Sequence, residues 1–340
     1  MAFNKWIKPK GNNLPFAFWK ALERLGILTP NPITSSFSSN TKQINLLDLK
    51  GKTILLTSPL SYQVYEDLAK KEVAAIVVAS GSIYDDLANT DLEEKALRER
   101  HYKHGKIPCF TMRMTDCEKL VLSNPEEVYF KVIQKESLAT SHNLVATIKG
   151  SEKPEEVVCF TAHYDSVRFS TGAYDNGTGS VTILEVLHYY VKNAPKRTLK
   201  FIWCGSEEMG LLGSHAYVNT HKEELENYKL CINVDMTGVP LGKDIAVCTS
   251  EMSLVNYIDY YAKNIGFMID TNQGVYSSDS TPFAFNNVPA VSFARISPRG
   301  GAEIHSRRDV ISLINPIYLE KTILFIISLS NSTVSPFFMR

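Results

Sequence analysis

The stretch that decides the fold reads Thr161-Ala-His-Tyr-Asp-Ser-Val-Arg-Phe-Ser-Thr-Gly-Ala-Tyr-Asp-Asn-Gly177. It begins where an apolar strand ends and stops where a helix begins, and it carries two potential metal ligands, His163 and Asp175. The glycines around Asp175 permit a tight turn and a close approach of the backbone. Either residue alone has a simpler interpretation, because lone histidines are usually satisfied core residues and aspartate is a good helix N-cap.

Three later segments supply more side chains of the same kind. Glu207 and Glu208 follow one apolar strand, Asp235 follows the next, and His305 lies in a glycine-rich loop. Functional groups of open α/β sheets gather past the carboxyl ends of strands, so these side chains are expected to meet. Two adjacent glutamates are unfavourable without a cation. One can therefore bind a metal while the other remains free as a base.

The mixture of imidazole and carboxylate groups suits zinc. Two ions about 3.5–4 Å apart would need a shared ligand, and a carboxylate can bridge them. Asp165 lies two residues beyond His163, where it could accept the second imidazole N–H and fix the tautomer. These residues predict a two-metal hydrolase.

Composition excludes some other classes of protein. The 340 residues are 44% hydrophobic and 21% charged, and lysine plus arginine equals aspartate plus glutamate at 36 each. This balance gives no support for nucleic-acid binding or a polybasic membrane anchor. We see neither a signal peptide nor a membrane-spanning run, so we expect a cytoplasmic protein without a membrane partner. The six cysteines are interpreted as buried hydrophobic residues, with a disulfide between Cys109 and Cys117 left open.

The order of predicted elements indicates an α/β fold with a mostly parallel sheet between helices. We divide the chain into an N-terminal segment 1–45, a small α/β unit 46–137 and a larger domain 138–340. Within these we predict a helix over 16–28, a strand over 128–133 that closes the small unit, and a hairpin of strands 144–148 and 157–161.

Six short motifs together resemble the M28 family of zinc peptidases over about residues 141–330. They are His163-x-Asp165, Gly172-Ala-x-Asp175-Asn176, Glu207-Glu208-x-Gly210, Asn233-x-Asp235, Ser278-Asp279-x-x-Pro282-Phe283 and His305-x-x-x-Asp309. The resemblance implies a mixed sheet of about eight strands between helices. Residues 46–137 are similar to the protease-associated domain that is often inserted in this family, where it serves as a lid or specificity element.

The resemblance also implies an activity and a set of roles. It implies an aminopeptidase that removes N-terminal residues from peptides with two zinc ions per chain. By this resemblance, His163 and Asp235 would hold the first zinc, and Glu208 and His305 the second. Asp175 would bridge the two ions. Glu207 would be the general base and acid, and Asp165 would support the ligands.

Other activities within and outside the family stay open at this point. The stretch from Gly238 to Val275 is too short for the large insert of the carboxypeptidase branch, and five ligands argue against the one-metal glutaminyl cyclase branch. A metal-dependent carboxypeptidase, a hydrolase of non-peptide amides and a non-catalytic peptide-binding protein remain alternatives.

Several positions depart from the family pattern and bear on the substrate. Ser280 replaces a frequent histidine, and Tyr276 lies near the position of an oxyanion-stabilising tyrosine. Basic residues near the last histidine could favour acidic groups on the substrate, although a solvated basic loop is the simpler interpretation. These basic residues are Arg295, Arg299, Arg307 and Arg308.

Overall fold

The computed structural model describes residues 48–81, 97, 101, 103, 105–133, 137–298, 302 and 304–332. The chain divides into two compact units, and the boundary lies between Ser137 and Leu138. The predicted segment 1–45 and its helix 16–28 lie outside the described residues.

The first unit contains a parallel three-stranded sheet in the order β1-β2-β3. Its strands are β1 (Thr53–Leu56), β2 (Ala75–Ser80) and β3 (Cys109–Arg113), and its helices are α1 (Tyr62–Lys70) and α2 (Met114–Ser123). Helix α1 begins at Ser61, whose hydroxyl accepts the backbone N–H of Val64. This side-chain cap satisfies a donor that the first helical turn leaves unpaired. The protease-associated identity of residues 46–137 stays a prediction.

One expectation for this unit is wrong. The predicted strand 128–133 has no regular structure, and the side chains of Tyr129 and Ile133 are 80% and 83% exposed. Alternation alone does not make a strand, because strand preference reflects packing against cross-strand neighbours and burial. No described strand pairs with residues 128–133, and the exposed side chains of this segment lack that packing. The interpretation of the cysteines agrees with the structure: all six are free, and the disulfide left open between Cys109 and Cys117 is not formed.

The second unit is built on a seven-stranded mixed sheet in the order β4-β6-β5-β7-β10-β8-β9. The strands are β4 (Leu144–Ile148), β5 (Lys153–His163), β6 (Arg197–Cys204), β7 (Tyr228–Val234), β8 (Lys243–Cys248), β9 (Asp270–Gln273) and β10 (Ala290–Ile296). Among the described strands, four of the six pairings are parallel, and β4–β6 and β8–β10 are antiparallel. The predicted mixed, mostly parallel sheet is confirmed, with seven described strands where about eight were expected.

Five helices within the described ranges accompany this sheet. They are α3 (Thr178–Lys192), α4 (Leu212–Thr220), α5 (Met252–Asn264), α6 (Thr281–Ala284) and α7 (Pro316–Ser332). Shorter turns occupy Ala173–Gly177, Lys222–Asn227 and Ile311–Leu313. None of the helices in the described part of the chain combines the length and apolar character needed to cross a membrane.

The core lies around the central strands. Phe160 on β5 stacks on Phe201 on β6, with ring centroids 4.8 Å apart and planes at 9°. Both rings are fully buried, and each contributes about 1.5–3 kcal/mol of hydrophobic stabilisation. Buried side chains of α3, α5 and α7 complete this cluster, while a second cluster includes residues of α4 and α6. The apolar runs of the central strands are thus covered on both faces.

The predicted hairpin is also wrong. Strand β4 pairs with β6, and β6 lies between β4 and β5. The reason is burial: the last seven residues of β5 are all buried, so this strand occupies the interior with a neighbour on each side. In β4, Leu144 and Val145 are 58% and 49% exposed, which suits an edge strand.

Three parallel strands position the site. Strand β5 ends at His163, which lies opposite Cys204 at the end of β6, and β7 ends at Val234 on the other side of β5. The residues that follow these ends therefore meet at one edge of the sheet.

Candidate metal centre

His163 lies at the centre of a group of carboxylates. Its side chain is 2% exposed, and Nε2 lies 3.2 Å from Oδ1 of Asp175 and 3.5 Å from Oδ1 of Asp235. Both acids are almost fully buried. Three potential ligands therefore converge on one point. They are carried by the end of β5, the turn before α3 and the end of β7.

Asp175 faces two histidines with its two oxygens. Oδ1 lies near His163, and Oδ2 lies 3.2 Å from Nε2 of His305. The turn Ala173–Gly177 that carries Asp175 departs from helical geometry at this residue, with φ −113° and ψ 86°. The carboxylate is thus presented beyond the amino end of α3, where it could bridge two cations.

Glu208 and His305 form the other side of the centre. Oε2 of Glu208 lies 3.1 Å from Nε2 of His305. His163, Asp175 and Glu208 each offer a ligand atom within 4.8 Å of the others, a separation that permits metal binding. All five of the predicted metal ligands are therefore brought together, with Asp175 between a His163–Asp235 side and a Glu208–His305 side.

Asp165 organises the loop that carries the two glutamates. Its carboxylate accepts the backbone N–H of Glu207 at 3.0 Å and that of Glu208 at 3.3 Å. Nδ1 of His163 lies 3.0 Å from the backbone carbonyl oxygen of Asp165, whereas the carboxylate oxygen is 3.7 Å away. The sequence-based expectation gave this imidazole contact to the carboxylate. The carbonyl takes it because the carboxylate points toward the glutamate loop.

Asn176 ties the Asp175 turn to the end of β7. Its amide donates to the carbonyl of Val234 at 2.9 Å, and its side-chain oxygen accepts the backbone N–H of Met236 at 3.2 Å. These two bonds flank Asp235 in the sequence. A single buried side chain therefore fixes the position of Asp175 relative to Asp235.

Charges in the centre balance only in part. Burial alone would lower the pKa of His163, but the nearby carboxylates of Asp165, Asp175 and Asp235 outweigh this effect and raise the pKa well above its ordinary value. Burial would raise the pKa of Asp175, but His163 and His305 lower it to about 2. The surroundings of His163 therefore favour a positive charge.

A zinc ion fits this donor set. Oε1 of Glu208 and Oδ1 of Asp235 are buried and lack a hydrogen-bond partner among the described residues. Unpaired buried carboxylate oxygens are costly unless a cation coordinates them. Imidazole nitrogens and carboxylate oxygens are ligands that zinc accepts, and a dication would provide the missing positive charge.

Glu207 is a partly buried carboxyl group whose surroundings raise its pKa. Burial raises the pKa of its carboxyl group to about 8, and the nearby acids Asp279, Asp235 and Glu208 add to the effect against the opposing charge of His163. A cation bound beside it would favour the carboxylate form and bring the pKa down toward neutrality. Glu207 could then exchange a proton with a substrate near neutral pH.

Asp309 is a site residue to which the sequence reasoning gave no role. It is fully buried, and its carboxylate accepts the backbone N–H groups of Tyr174 at 2.6 Å and Asp175 at 3.0 Å. The hydroxyl of Thr171 donates to its carbonyl oxygen. Asp309 thus joins the loop of His305 to the turn of Asp175. Its position four residues after His305 was the only signal in the sequence.

Ser280 does not line an open pocket. Its hydroxyl is fully buried and lies 2.8 Å from that of Ser292, which is 2.7 Å from the hydroxyl of Ser278. The expectation that this substitution changes a substrate contact is therefore not supported by the contacts of Ser280. Ser280 belongs to a buried hydroxyl cluster.

The pKa of Tyr276 is affected by the charged residues of the centre. Burial raises the pKa of the phenol above its ordinary value, and the charges of Asp235, Asp175 and Glu207 add to this effect. The phenol therefore stays protonated and can act as a hydrogen-bond donor.

The basic residues divide into two kinds. Arg295 is buried, where its Nε donates to the carbonyl of Val239 and its guanidinium pairs with Asp244 and packs on Tyr318. These internal contacts argue against both interpretations of Arg295, a contact with an acidic group of the substrate and a place in a solvated basic loop. Arg307 is exposed and packs on the ring of Phe169. Arg299 lies outside the described residues.

Comparison with known proteins assigns a family to this site. The sequence matches Peptidase family M28 over residues 143–329. It is 32% identical to Aminopeptidase YwaD of Bacillus subtilis (strain 168) over 195 residues, which are 55% of this chain and 42% of that protein. It is 36% identical to Vacuolar membrane protease of Saccharomyces cerevisiae (strain YJM789) over 138 residues, 40% of this chain and 14% of that protein. The chain thus spans less than half the length of these curated relatives.

Solved structures share the fold. A zinc aminopeptidase from Bacillus subtilis, BSAP, superposes with a TM-score of 0.65 at 24% identity, covering 84% of this chain and 70% of that one. An aminopeptidase from Aneurinibacillus sp. strain AM-1 gives a TM-score of 0.60 at 20% identity, covering 85% and 71%. At these identities the similarity concerns the fold.

Proposed function

Because the chain belongs to peptidase family M28, we propose that it is a zinc-dependent aminopeptidase with two metal ions per chain. The observation that carries the proposal is the placement of Asp175, whose two oxygens face His163 and His305 separately. Asp235 joins the first histidine and Glu208 the second. This arrangement offers two adjacent cation positions with one shared carboxylate, as co-catalytic sites require.

Zinc held there would act as a Lewis acid toward the scissile carbonyl and the attacking water. Glu207 takes a proton from that water and returns it to the leaving amine. Among the described residues, no other half-buried carboxylate of the centre is free of a ligand or structural role. Asp165 keeps Glu207 in place through its backbone N–H. Tyr276 would donate a hydrogen bond from its phenol to the developing oxyanion and keep its proton, a role supported by its raised pKa.

A substrate panel tests this activity. We expect hydrolysis of aminoacyl p-nitroanilides with a free α-amine and none of their N-acetylated counterparts. A zinc chelator should abolish the activity, and added zinc should restore it. The measurement is p-nitroaniline release, together with zinc content by elemental analysis.

Each alternative has its own outcome in that experiment. Cleavage only of blocked peptides at their carboxyl end would establish a carboxypeptidase. Hydrolysis only of non-peptide amides would establish an amidohydrolase. A folded protein that binds peptide without zinc and without turnover would be a binding protein, and the proposal would then be rejected.

The Asp309→Asn variant tests how the centre is held. A carboxamide presents an NH₂ group where one of two backbone N–H groups now donates to the carboxylate. The Asp175 turn should shift, and zinc affinity should fall by roughly 10–100-fold, as for other groups that orient metal ligands. Competition with a fluorescent chelator measures the affinity, and activity should recover at excess zinc. An unchanged zinc affinity would show that Asp309 does not position Asp175.

A further inference from the structure

We infer that Asn143 is a positioning residue for the glutamate loop, residues 205–211, which carries Glu207 and Glu208. Its side-chain amide holds the two ends of this loop together, so that the proposed base and the proposed ligand keep their places. The inference rests on the proposed function and adds to it a residue outside the six motifs of the sequence.

Asn143 lies at the edge of the sheet where the centre is built. Strand β4 runs antiparallel to β6, and its first residue, Leu144, pairs with Trp203 near the end of that strand. The residue before β4 therefore lies beside the residues that follow β6. These residues are the start of the glutamate loop.

The Asn143 amide bonds to the backbone at both ends of the glutamate loop. Its oxygen accepts the backbone N–H of Gly205 at 3.1 Å, and its Nδ2 donates to the carbonyl oxygen of Gly213 at 2.8 Å. Gly205 directly follows β6, and Gly213 lies in the first turn of α4. Joining an N–H group to a carbonyl requires a side chain with both an acceptor and a donor, and an amide has both. Asn143 thus fixes the separation of the two backbone segments between which Glu207 and Glu208 lie.

The backbone at the two loop ends is closely packed. A Cβ atom at Gly205 would lie 2.6 Å from the carbonyl oxygen of His142, and one at Gly213 would lie 2.8 Å from the backbone nitrogen of Gly205. Both separations are shorter than real Cβ contacts. The two glycines therefore let the loop ends approach each other and the segment that carries Asn143, which brings its amide within reach of both.

The glutamate loop needs support from outside. Ser206 and Leu211 have φ values of 58° and 61°, in the left-handed region that non-glycine residues seldom adopt. Such conformations are unfavourable and persist only where surrounding contacts impose them. Asp165 holds the middle of the loop through two backbone N–H groups. Asn143 holds its ends, and the two supports together determine where both glutamates lie.

The segment of Asn143 is also attached to the other side of the centre. The hydroxyl of Tyr164 donates to the carbonyl of His142 at 2.7 Å. Tyr164 directly follows His163 at the end of β5. Loss of the Asn143 amide should therefore let the Glu208 side of the centre move relative to the His163 side.

Asn143→Ala tests the inference in the full chain. Because displacement of a catalytic group by about 1 Å can cost roughly a hundredfold in rate, kcat on leucine p-nitroanilide should fall by about 30–100-fold. KM should change by less than about threefold, since the bonds removed do not contact substrate. The fall in kcat should persist at saturating zinc, because Glu207 is displaced together with Glu208.

Hydrogen exchange gives a readout that does not depend on catalysis. Exchange in a peptide that covers residues 205–211 should be faster in Asn143→Ala, because the N–H of Gly205 loses its acceptor and the loop opens more often. Mass spectrometry measures this exchange with zinc bound and after chelation. Exchange in α3 should stay at the wild-type rate in both states.

A second variant and two matched controls make the result specific. Asn143→Asp keeps an acceptor for Gly205 but loses the donor to Gly213, so it should show at least the same loss of kcat. Asn193→Ala and Asn193→Asp are the controls, because the exposed amide of Asn193 donates to the carbonyl of Tyr189 at 2.8 Å at the far end of α3. Both controls should keep the wild-type kcat and loop exchange. Circular dichroism verifies folding of each variant.

The outcomes that overturn the inference differ from those that overturn the function. Wild-type kcat in either folded Asn143 variant overturns the positioning role, whatever the exchange result. A loss of kcat that excess zinc fully restores also overturns it, because only metal affinity would then depend on Asn143. Absence of hydrolysis by the wild-type chain rejects the proposed function. Faster exchange of the glutamate loop in Asn143→Ala would even then support the contact between Asn143 and the loop ends.

Discussion

Replacement of Glu207 by glutamine is expected to reduce kcat by roughly a thousandfold, within the 10²–10⁴-fold contribution of general acid–base catalysis. Glutamine has nearly the same shape but cannot accept the proton of the attacking water. The backbone N–H of residue 207 would still donate to Asp165, so the loop and Glu208 should keep their positions. Zinc content should therefore be unchanged while turnover falls.

Glu223→Gln is the control for this variant. Glu223 is exposed on the turn before β7, at the opposite end of that strand from Asp235. Its replacement removes the same charge without touching the centre, so kcat should stay at the wild-type value. Loss of zinc from the Glu207→Gln variant would show that Glu207 is a ligand. Full activity with zinc bound would show that another group is the base.

Prediction from sequence worked where a strand is buried on both faces. The apolar runs 199–204 and 230–234 predicted β6 and β7, because only a central strand of a mostly parallel sheet needs such continuous burial. Strand β9 (Asp270–Gln273) was missed, since an edge strand with exposed polar side chains has no apolar pattern. The partner of β4 was misassigned because local sequence does not encode which strand inserts between two others.

The same contrast applies to the site. Side chains that follow predicted strands could be placed together in advance, since parallel strands end at one edge of the sheet. The contribution of Asp309 could not be foreseen, because its carboxylate accepts the backbone N–H groups of Tyr174 and Asp175. These residues are separated from it by 135 and 134 positions in the sequence. The packing of Arg307 on the ring of Phe169 likewise depends on two loops that are distant in the sequence. Such contacts are properties of the tertiary structure.

Replacement of Asp175 by alanine is expected to deplete both metal positions at once. Its two oxygens face His163 and His305 at 3.2 Å each, so no other single side chain serves both sides of the described centre. Zinc should fall from about two ions per chain to well below one, and activity should be lost. Elemental analysis after gel filtration measures the metal, and circular dichroism tests whether the fold survives the loss of a buried carboxylate.

Two further variants make this result specific to a bridging carboxylate. Asp235→Ala removes a carboxylate that faces His163 alone, so it should leave about one zinc per chain on the Glu208–His305 side. Asp270→Ala removes an exposed carboxylate on β9 that pairs with Lys243, and it should change neither zinc content nor activity. Equal zinc loss in Asp175→Ala and Asp235→Ala would contradict the bridge. Such a result would favour a single ion shared by all the ligands, because removal of any one of them would then empty the same position.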